Sequence, residues 1–316
     1  MKKVRVGVIG VGYLGQFHAE KYAAMPDTEL KGVVDTDQVR AKQIAKKLNT
    51  LAFSDPAQLL GQVDAVSIVV PTVFHHQIAK QFLKQGIHVL LEKPVTATLE
   101  QADELIELAA GKKLVLQVGH IERFNPAVTA VKPLLKTPRY MTAERSAPFT
   151  VRCTDVNVIL DLMIHDLDIV MDLAGSAPYE VSAAGASVIT REIDCASARL
   201  VFQNGCVADV TASRVSEEKK RLLRVYDGEA LYTSDYQSQK AIVSRKGGDP
   251  VPELVMNDIS TERRDTLDEE VRAFVLSIET GTHPLVSGIE GRRALALAQK
   301  ITENIQKGIT EFVPVA

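Results

Sequence analysis

The first 120 residues alternate short apolar runs with amphipathic stretches, and this alternation restricts the fold more than any other feature. The apolar runs are rich in Val, Ile and Leu, which is typical of strands buried on both faces of a parallel sheet. Strand–helix alternation at this spacing predicts βαβ units and a doubly wound α/β domain. The predicted strands are Val4–Ile9, Glu29–Val34, Ala65–Val70, His88–Leu91 and Leu114–Val118, and the predicted helices are Leu14–Ala24, Gln38–Leu48, His76–Lys84 and Leu99–Ala110.

After about residue 120 the pattern changes to strand-like runs separated by turns. Asn204-Gly205 and Asp227-Gly228 each separate two such runs, and these dipeptides are strong hairpin signals. We expect a first domain over residues 1–120 and a second over residues 121–316, with a largely antiparallel open sheet covered by helices on one face. The predicted strands there are Arg139–Ala147, Val181–Thr190, Ala196–Gln203, Cys206–Ser213, Arg221–Tyr226, Glu229–Asp235 and Gln239–Arg245, and the predicted helices are Pro126–Lys136, Val158–Ala174, Asp268–Thr280 and Glu290–Gln306.

Composition argues against several classes of protein. The 316 residues carry a formal net charge of -3, so nothing indicates binding to nucleic acid or to an anionic membrane. No segment approaches the roughly 18 uninterrupted apolar residues of a membrane span. The apolar stretch near the N-terminus is interrupted by glycine and lacks a clean cleavage site. We therefore expect a cytoplasmic protein.

The cysteines Cys153, Cys195 and Cys206 are few and widely spaced. They form no pair with metal-ligand spacing, so the sequence predicts no metal site. Buried free thiols in a reducing compartment are the expected state.

A glycine-rich loop follows the first predicted strand and opens the first predicted helix; it reads Gly10-Val11-Gly12-Tyr13-Leu14-Gly15. In this pattern Gly10 permits a tight turn, Gly12 lets the backbone approach a pyrophosphate, and Gly15 allows close packing of helix on strand. The helix N-terminus offers unpaired N–H groups to the phosphates. The loop therefore predicts dinucleotide binding, and the alternative is a tight strand–helix turn without a ligand.

Asp35 ends the second predicted strand, 20 residues after Gly15 (35 − 15). A carboxylate at this place accepts hydrogen bonds from the adenosine ribose and repels a 2′-phosphate. The expected cofactor is therefore NAD, with NADP as the alternative.

Two further loops follow predicted strands of the first domain. Pro71-Thr72, with His75 shortly after, stands where strand carboxyl ends line a ligand crevice; the alternative is a proline turn with a capping side chain. Glu92-Lys93-Pro94 follows the next strand, where a lysine can bind a hydroxyl and stabilise a developing alkoxide. The alternative for this second loop is a solvated surface pair.

Asp161 and His165 lie within an apolar helical run, four residues apart and so on one helical face. Histidine is suited to proton transfer near neutral pH, and a nearby carboxylate can fix its tautomer. Asp166 and Asp168 also lie close to His165, and the sequence leaves open which acidic groups face a site. The alternative is a structural histidine–aspartate network in the core.

Taken together, these motifs and the late Val286-Ser287-Gly288 before a long helix resemble the Gfo/Idh/MocA family of oxidoreductases nearly end to end. The resemblance implies a Rossmann domain followed by an α/β domain whose open sheet often mediates dimers or tetramers. It also implies that Lys93, Asp161 and His165 form the catalytic set. The residues expected at the cofactor are Gly10, Gly12, Tyr13, Leu14, Gly15, Asp35, Pro71, Thr72, His75, Glu92 and Lys93.

A narrower resemblance comes from the segments 119–126 and 160–166. They look like the subgroup that oxidises nucleotide-activated amino sugars, such as UDP-N-acetylglucosamine at C3. Arg123 and Asn125 would then contact the substrate, whereas the alternative for Arg123 is a plain ion pair. Other functions that remain open are an inositol, polyol or other aldose dehydrogenase, a non-catalytic dinucleotide sensor, and a protein-interaction scaffold.

Overall fold

The computed structural model of the protein describes residues 3–150 and 156–310. The chain divides into two compact units, one formed by the residues up to Ile121 together with Asp265–Arg293, the other by Glu122–Arg264 together with the chain from Ala294. Cys153 lies outside the described residues. Cys206 is buried, Cys195 is half-buried, and both are free thiols.

The first unit contains a six-stranded sheet in which every described strand pair is parallel. The strand order β3-β2-β1-β4-β5-β6 is that of a dinucleotide-binding doubly wound fold, so the predicted fold class is confirmed. The strands are β1 (Val4–Ile9), β2 (Thr28–Val34), β3 (Leu51–Phe53), β4 (Ala65–Ile68), β5 (His88–Glu92) and β6 (Leu116–Gly119). The helices between them are α1 (Gly15–Ala24), α2 (Gln38–Leu48), α3 (His75–Lys84) and α4 (Leu99–Gly111).

The second unit is built on an eight-stranded sheet in the order β14-β13-β12-β11-β7-β10-β9-β8. β7 and β10 pair in parallel, and the other described pairs are antiparallel. The two predicted hairpins form, with Gly205 and Gly228 at φ +84° and +57°, values that favour glycine. The strands are β7 (Pro138–Ser146), β8 (Pro178–Ala186), β9 (Cys195–Phe202), β10 (Val207–Ser213), β11 (Lys220–Asp227), β12 (Ala230–Asp235), β13 (Lys240–Gly247) and β14 (Glu253–Ile259).

Four further helices follow in the chain: α5 (Pro126–Thr129), α6 (Ile164–Ala174), α7 (Thr266–Thr280) and α8 (Gly288–Thr310). Leu200 and Val210 of the second sheet share a core with Ile164 and Leu167 of α6 and Ile301 of α8. No helix in the described part of the chain is long and apolar enough to cross a membrane.

The predicted helix 126–136 is shorter in the structure, and the reason is a proline. α5 ends at Thr129, and a separate 3₁₀ turn covers Lys132–Leu134. Pro133 lacks an N–H and disfavours helical backbone at the residue before it, so one continuous helix is excluded.

α7 also differs from expectation, because it belongs to the first unit. Its residues Leu267, Val271 and Phe274 pack in one core cluster with Val6 of β1 and Tyr22 of α1. The sequence pattern predicted two consecutive domains, with this helix against the second sheet. In the structure the chain instead returns to the first unit after the second sheet, over residues Asp265–Arg293.

Candidate active site

The backbone of the glycine loop after β1 adopts a conformation that only glycine allows at two positions. Gly10 has φ +84°, and a Cβ there would lie 2.3 Å from the carbonyl oxygen of Val69. A Cβ at Gly15 would lie 1.8 Å from the carbonyl oxygen of Gly10. Both contacts are with backbone, which cannot yield as a side chain can, so the turn requires glycine at both positions.

Gly12 differs, because a Cβ placed there would meet no atom within 4 Å. The space beside it is open, as the approach of a pyrophosphate requires. Among the described residues no side chain caps the N-terminus of α1, although the Gln16 and Phe17 N–H groups already bond to the carbonyls of Gly12 and Leu14. Tyr13 and Leu14, also predicted at the cofactor, are exposed on this loop. These features fit a dinucleotide.

Asp35 follows β2, and its carboxylate is fixed beside the glycine loop. One oxygen accepts the Val11 N–H at 2.9 Å, and the other accepts the Asp37 N–H at 2.9 Å. The Arg40 guanidinium lies 3.4 Å from the Asp35 carboxylate and 3.1 Å from that of Asp37. Asp35 thus joins the glycine loop to the end of β2, where the sequence predicted a ribose contact.

The loop after β4 is joined to the loop after β5 by His75. Pro71 and Thr72 are partly or fully exposed, whereas His75 is buried. Its Nε2 lies 2.8 Å from the Val70 carbonyl and its Nδ1 lies 2.9 Å from the Pro94 carbonyl. Burial lowers the pKa of His75, although both carbonyls oppose this effect. These contacts point to a positioning role beside the expected cofactor site.

Lys93 stands at the carboxyl end of β5 and is partly exposed. The Glu92 carboxylate accepts the Lys93 N–H at 3.2 Å and lies 3.3 Å from Nε2 of His18. Burial would raise the pKa of Glu92, but His18 and Lys93 outweigh burial and lower it. The local backbone of Lys93 is therefore fixed by a charged carboxylate.

Asp161 and His165 lie at a change of helix type. Ile159–Met163 forms a π-helical turn, and α6 continues from Ile164 as an α-helix. Such turns are rare and occur frequently at functional sites. Both side chains are half-buried, which leaves each partly accessible in the second unit.

The structure distinguishes Asp161 from its acidic neighbours. Asp166 is buried and receives the Arg145 guanidinium at 2.6 Å, and Asp168 is buried and receives that of Arg123 at 2.6 Å. Burial raises the pKa of Asp166, although Arg145 opposes this effect. Asp161 is therefore the more accessible acidic residue of the three.

Arg123 and Asn125, predicted at the substrate, are both buried. A second Arg123 nitrogen lies 2.7 Å from Asp172, in addition to the contact with Asp168. Asn125 caps α5 by accepting the Ala127 N–H at 3.1 Å. These contacts favour the ion-pair alternative for Arg123, and a role of either residue in substrate binding stays a prediction.

One buried cluster of the first unit was not predicted from the sequence; it contains His18 of α1, Glu92 of β5 and Glu270 of α7. One donor atom from each lies within 4.8 Å of the others. Burial, with the nearby Glu92 charge, raises the pKa of Glu270 well above its ordinary value. A signal existed, because Glu270 falls on the apolar side of its helix, between Leu267 and Phe274.

Comparison with known families agrees with this geometry. Residues 4–120 match the model of an oxidoreductase family with an NAD-binding Rossmann fold, Gfo/Idh/MocA, and residues 138–230 match the model of its C-terminal domain. The chain belongs to the Gfo/Idh/MocA family. The predicted family is thereby confirmed, and with it the prediction of an oxidoreductase.

Curated relatives cover nearly the whole chain. UDP-N-acetylglucosamine 3-dehydrogenase of Acidithiobacillus ferrooxidans is 40% identical over 95% of this chain and 97% of its own length. Myo-inositol 2-dehydrogenase of Thermotoga maritima is 28% identical over 96% of this chain and 97% of its own length. Both relatives are named as dehydrogenases, so this Gfo/Idh/MocA chain is a dehydrogenase as predicted.

Solved structures agree. One of UDP-N-acetylglucosamine 3-dehydrogenase from Acidithiobacillus ferrooxidans superimposes with a TM-score of 0.93 at 38% identity, covering 97% of this chain and 99% of that one. A levoglucosan dehydrogenase solved with NADH and levoglucosan has a TM-score of 0.88 at 18% identity, covering 97% and 98%. The second likeness concerns the fold alone.

Proposed function

We propose that this protein transfers a hydride between NAD and C3 of a nucleotide-activated amino sugar, UDP-N-acetylglucosamine. The observation that carries the proposal is the 40% identity, over 95% of the chain, to a relative named for that reaction. The inositol dehydrogenase of Thermotoga maritima matches over a similar span at only 28%.

His165 is the proposed general base. In the oxidative direction it would take the proton of the C3 hydroxyl, and a bound nicotinamide would supply the acceptor for the hydride from C3. Two features of the second unit support this role: the side chain is partly accessible, and it follows a π-helical turn. Asp161, the accessible carboxylate on the same helical segment, orients the substrate or balances nearby positive charge.

Lys93 is proposed to stabilise negative charge on the substrate oxygen as the proton leaves. An ammonium group placed in advance of the reaction provides this stabilisation without reorganising solvent. The fixed backbone of Lys93, bound by Glu92 at 3.2 Å, supports such a preorganised role.

NAD is the proposed cofactor. The family match supports binding of a nicotinamide dinucleotide, and the preference for NAD rests on Asp35. Its carboxylate already accepts two backbone N–H groups, and it retains lone pairs for the ribose hydroxyls. Close contact between this carboxylate and a 2′-phosphate would be repulsive.

The proposal is tested by measuring initial rates with NAD and NADP against UDP-N-acetylglucosamine, UDP-glucose, free N-acetylglucosamine and myo-inositol. We expect UDP-N-acetylglucosamine with NAD to give the highest kcat/KM, and a product whose ketone is located at C3 by NMR. Loss of the signal in His165→Ala serves as the control against a contaminating dehydrogenase. Higher kcat/KM with myo-inositol or another free polyol would contradict the proposed substrate.

A further inference from the structure

The buried cluster of His18, Glu92 and Glu270 brings three parts of the first unit together. His18 lies on α1, whose N-terminus follows the glycine loop, and Glu92 directly precedes Lys93. Glu270 comes from α7 on the returning segment. His18 and Glu270 are 0% exposed, and the Glu92 side chain is 12% exposed.

Neighbouring residues show that space for this cluster is specifically provided. A Cβ at Gly119 of β6 would lie 2.8 Å from a Glu92 carboxylate oxygen, so glycine at this position makes room for the carboxylate. The Gln117 side chain donates to the backbone carbonyl of Glu270 at 3.0 Å and attaches α7 to β6. The cluster therefore belongs to the packed interior.

The two carboxyl groups differ in their partners. Glu92 has His18 on one oxygen and the Lys93 N–H on the other. Both carboxyl oxygens of Glu270 are buried and have no hydrogen-bond partner among the residues that the structure describes. The titratable groups that face Glu270 are Glu92 on β5 and His18 and Tyr22 on α1.

Two carboxylates this close cannot both carry a charge in a buried site at ordinary cost. Glu92 has His18 and the Lys93 N–H, which stabilise a charge, whereas the described part of the chain offers Glu270 no such partner. We propose that Glu270 holds a proton at neutral pH, so that a buried, neutral carboxylic acid packs beside Glu92 and positions the carboxylate that fixes Lys93. Glu270 is thus a positioning residue for the nicotinamide-dependent reaction, and this part rests on the role proposed for Lys93.

A bound cation is the other way to balance the same charges, because one nitrogen and two carboxylate oxygens within 4.8 Å also suit a divalent metal ion. The two solutions differ in a measurable way. A protonated Glu270 gives a metal-free protein with an infrared carbonyl band of a carboxylic acid, which Glu270→Gln removes. Zinc or manganese bound at one ion per chain, and lost together with stability on chelation, would overturn the proposal.

The pH dependence of stability gives a second test that does not involve catalysis. A glutamate in the unfolded chain has a pKa of about 4.3, and the folded pKa of Glu270 is raised. Its contribution to stability is therefore full below that unfolded value and is lost as pH rises through the folded value. Glutamine cannot ionise, so the melting temperature of the parent should fall relative to Glu270→Gln by at least about 3 °C between roughly pH 5 and pH 8.

Glu92→Gln is the matched control, because the pKa of Glu92 is lowered. Glu92 is ionised in this range in both states, so Glu92→Gln should be less stable than the parent, and its stability should fall less steeply between pH 5 and pH 8 because the Glu92 charge contributes to the raised pKa of Glu270. Parallel curves of melting temperature against pH for the parent and Glu270→Gln would show that Glu270 is ionised and would overturn the proposal. If Glu270→Gln does not fold, Glu270→Met provides the same non-ionising comparison.

The effect on Lys93 is read from kcat. Glu92 is the charged member of the pair and contacts Lys93 directly. Glu92→Gln should therefore lower kcat at least about tenfold more than Glu270→Gln does. Equal losses of kcat in the two variants would refute the positioning role. If Lys93→Ala itself is fully active, the proposed function fails, while the infrared and stability tests of the Glu270 proton still apply.

Discussion

The guanidinium of Arg145 binds the carboxylate of Asp166, the residue next to His165, at 2.6 Å. The same guanidinium lies 3.0 Å from Glu122, and all three side chains are buried. Arg145 of β7 thereby pairs with the residue next to His165 and shares Glu122 with Arg221, which lies 3.3 Å from the same carboxylate.

Removing Arg145 should destabilise the second unit strongly. Arg145→Met leaves the buried Asp166 carboxylate without its cation, which costs about 3–5 kcal/mol, whereas Glu122 keeps Arg221 at 3.3 Å. Arg199→Met is the control, because Arg199 pairs with Asp209 at 3.0 Å on the surface and such pairs contribute about 0–1 kcal/mol. Both values come from urea unfolding. Equal losses of unfolding free energy in the two variants would show that burial does not strengthen the contribution of the Arg145 pair.

Replacing Gly15 or Gly12 of the glycine loop by alanine should have different effects. In Gly15→Ala the methyl group clashes with the Gly10 carbonyl, so we expect a loss of about 1–3 kcal/mol in stability. In Gly12→Ala the methyl group meets nothing, so the melting temperature should stay near that of the parent. NAD affinity should nevertheless fall roughly tenfold or more, because the methyl group occupies the space needed by the pyrophosphate. Calorimetry and titration with NAD measure the two effects, and unchanged NAD binding by Gly12→Ala would remove the loop from the cofactor site.

Asp35 should determine the preference for NAD. Asp35→Ala removes hydrogen bonds to a charged group, so NAD should bind roughly tenfold to a hundredfold more weakly. NADP should lose less, because a repulsive charge disappears at the same time. Arg40→Ala tests the neighbouring cation, which lies 3.4 Å from Asp35. Equal or tighter binding of NADP by the parent protein would contradict the assignment.

Lys93 and His165 should affect the chemical step and leave cofactor binding nearly intact. Loss of a general base costs about 10²–10⁴-fold in rate, and loss of one charge-stabilising donor about 10²–10³-fold. Lys93→Ala and His165→Ala should therefore lower the single-turnover rate at least about a hundredfold. His76→Ala is the control, because that histidine lies 2.7 Å from Glu104 at the surface.

The structural alternative for His165 makes a different forecast. If His165 is needed only for packing, its replacement should lower the melting temperature and weaken cofactor and substrate binding together. If His165→Ala melts early while its folded fraction turns over normally, the catalytic assignment is wrong. Asp161→Asn should act mainly on KM if the carboxylate orients the substrate.

A homodimer or homotetramer is expected to form through the open face of the second sheet. Met141 and Val225 are buried on the covered face of this sheet. Tyr140 and Tyr226 are their neighbours in sequence and lie on the opposite face, where their ring centroids are 5.4 Å apart. An aromatic pair at the centre of an uncovered sheet is typical of an interface. Tyr226→Glu should dissociate the assembly in light scattering, and Leu51→Glu, exposed in the first unit, should not. A monomeric parent at micromolar concentration would refute the expectation.

Local patterns predicted much of this fold. The bounds of β1 and α2 agree with the sequence prediction. β1 is a short apolar run that ends at the glycine loop, and α2 begins after Asp37, which accepts the Val39 and Arg40 N–H groups. β3 and β14 were missed. β3 has only three residues, and β14 is an exposed strand that contains Glu253 and Asp258, so neither has a hydrophobic pattern that separates it from a loop.

The sequence predicted a set of candidate site residues but not the contacts around them. The motifs identified Lys93, Asp161 and His165. They gave no information about Arg145, which is distant in sequence and pairs with Asp166 only after β7 and α6 pack together. The same limit applies to Glu270, whose partners come from α1 and β5. Such pairings depend on tertiary packing, which short-range patterns do not encode.

The return of residues 265–293 has a consequence for how this protein can be divided or recombined. A gene fragment ending at residue 120 would encode the six strands of the first sheet but not α7, and would leave Val6 and Tyr22 without their cover. In topological terms the second unit is largely an insertion into the first. A chimaera with a relative should therefore exchange 122–264 through two junctions, and a third near residue 293 if the terminal helix is exchanged as well.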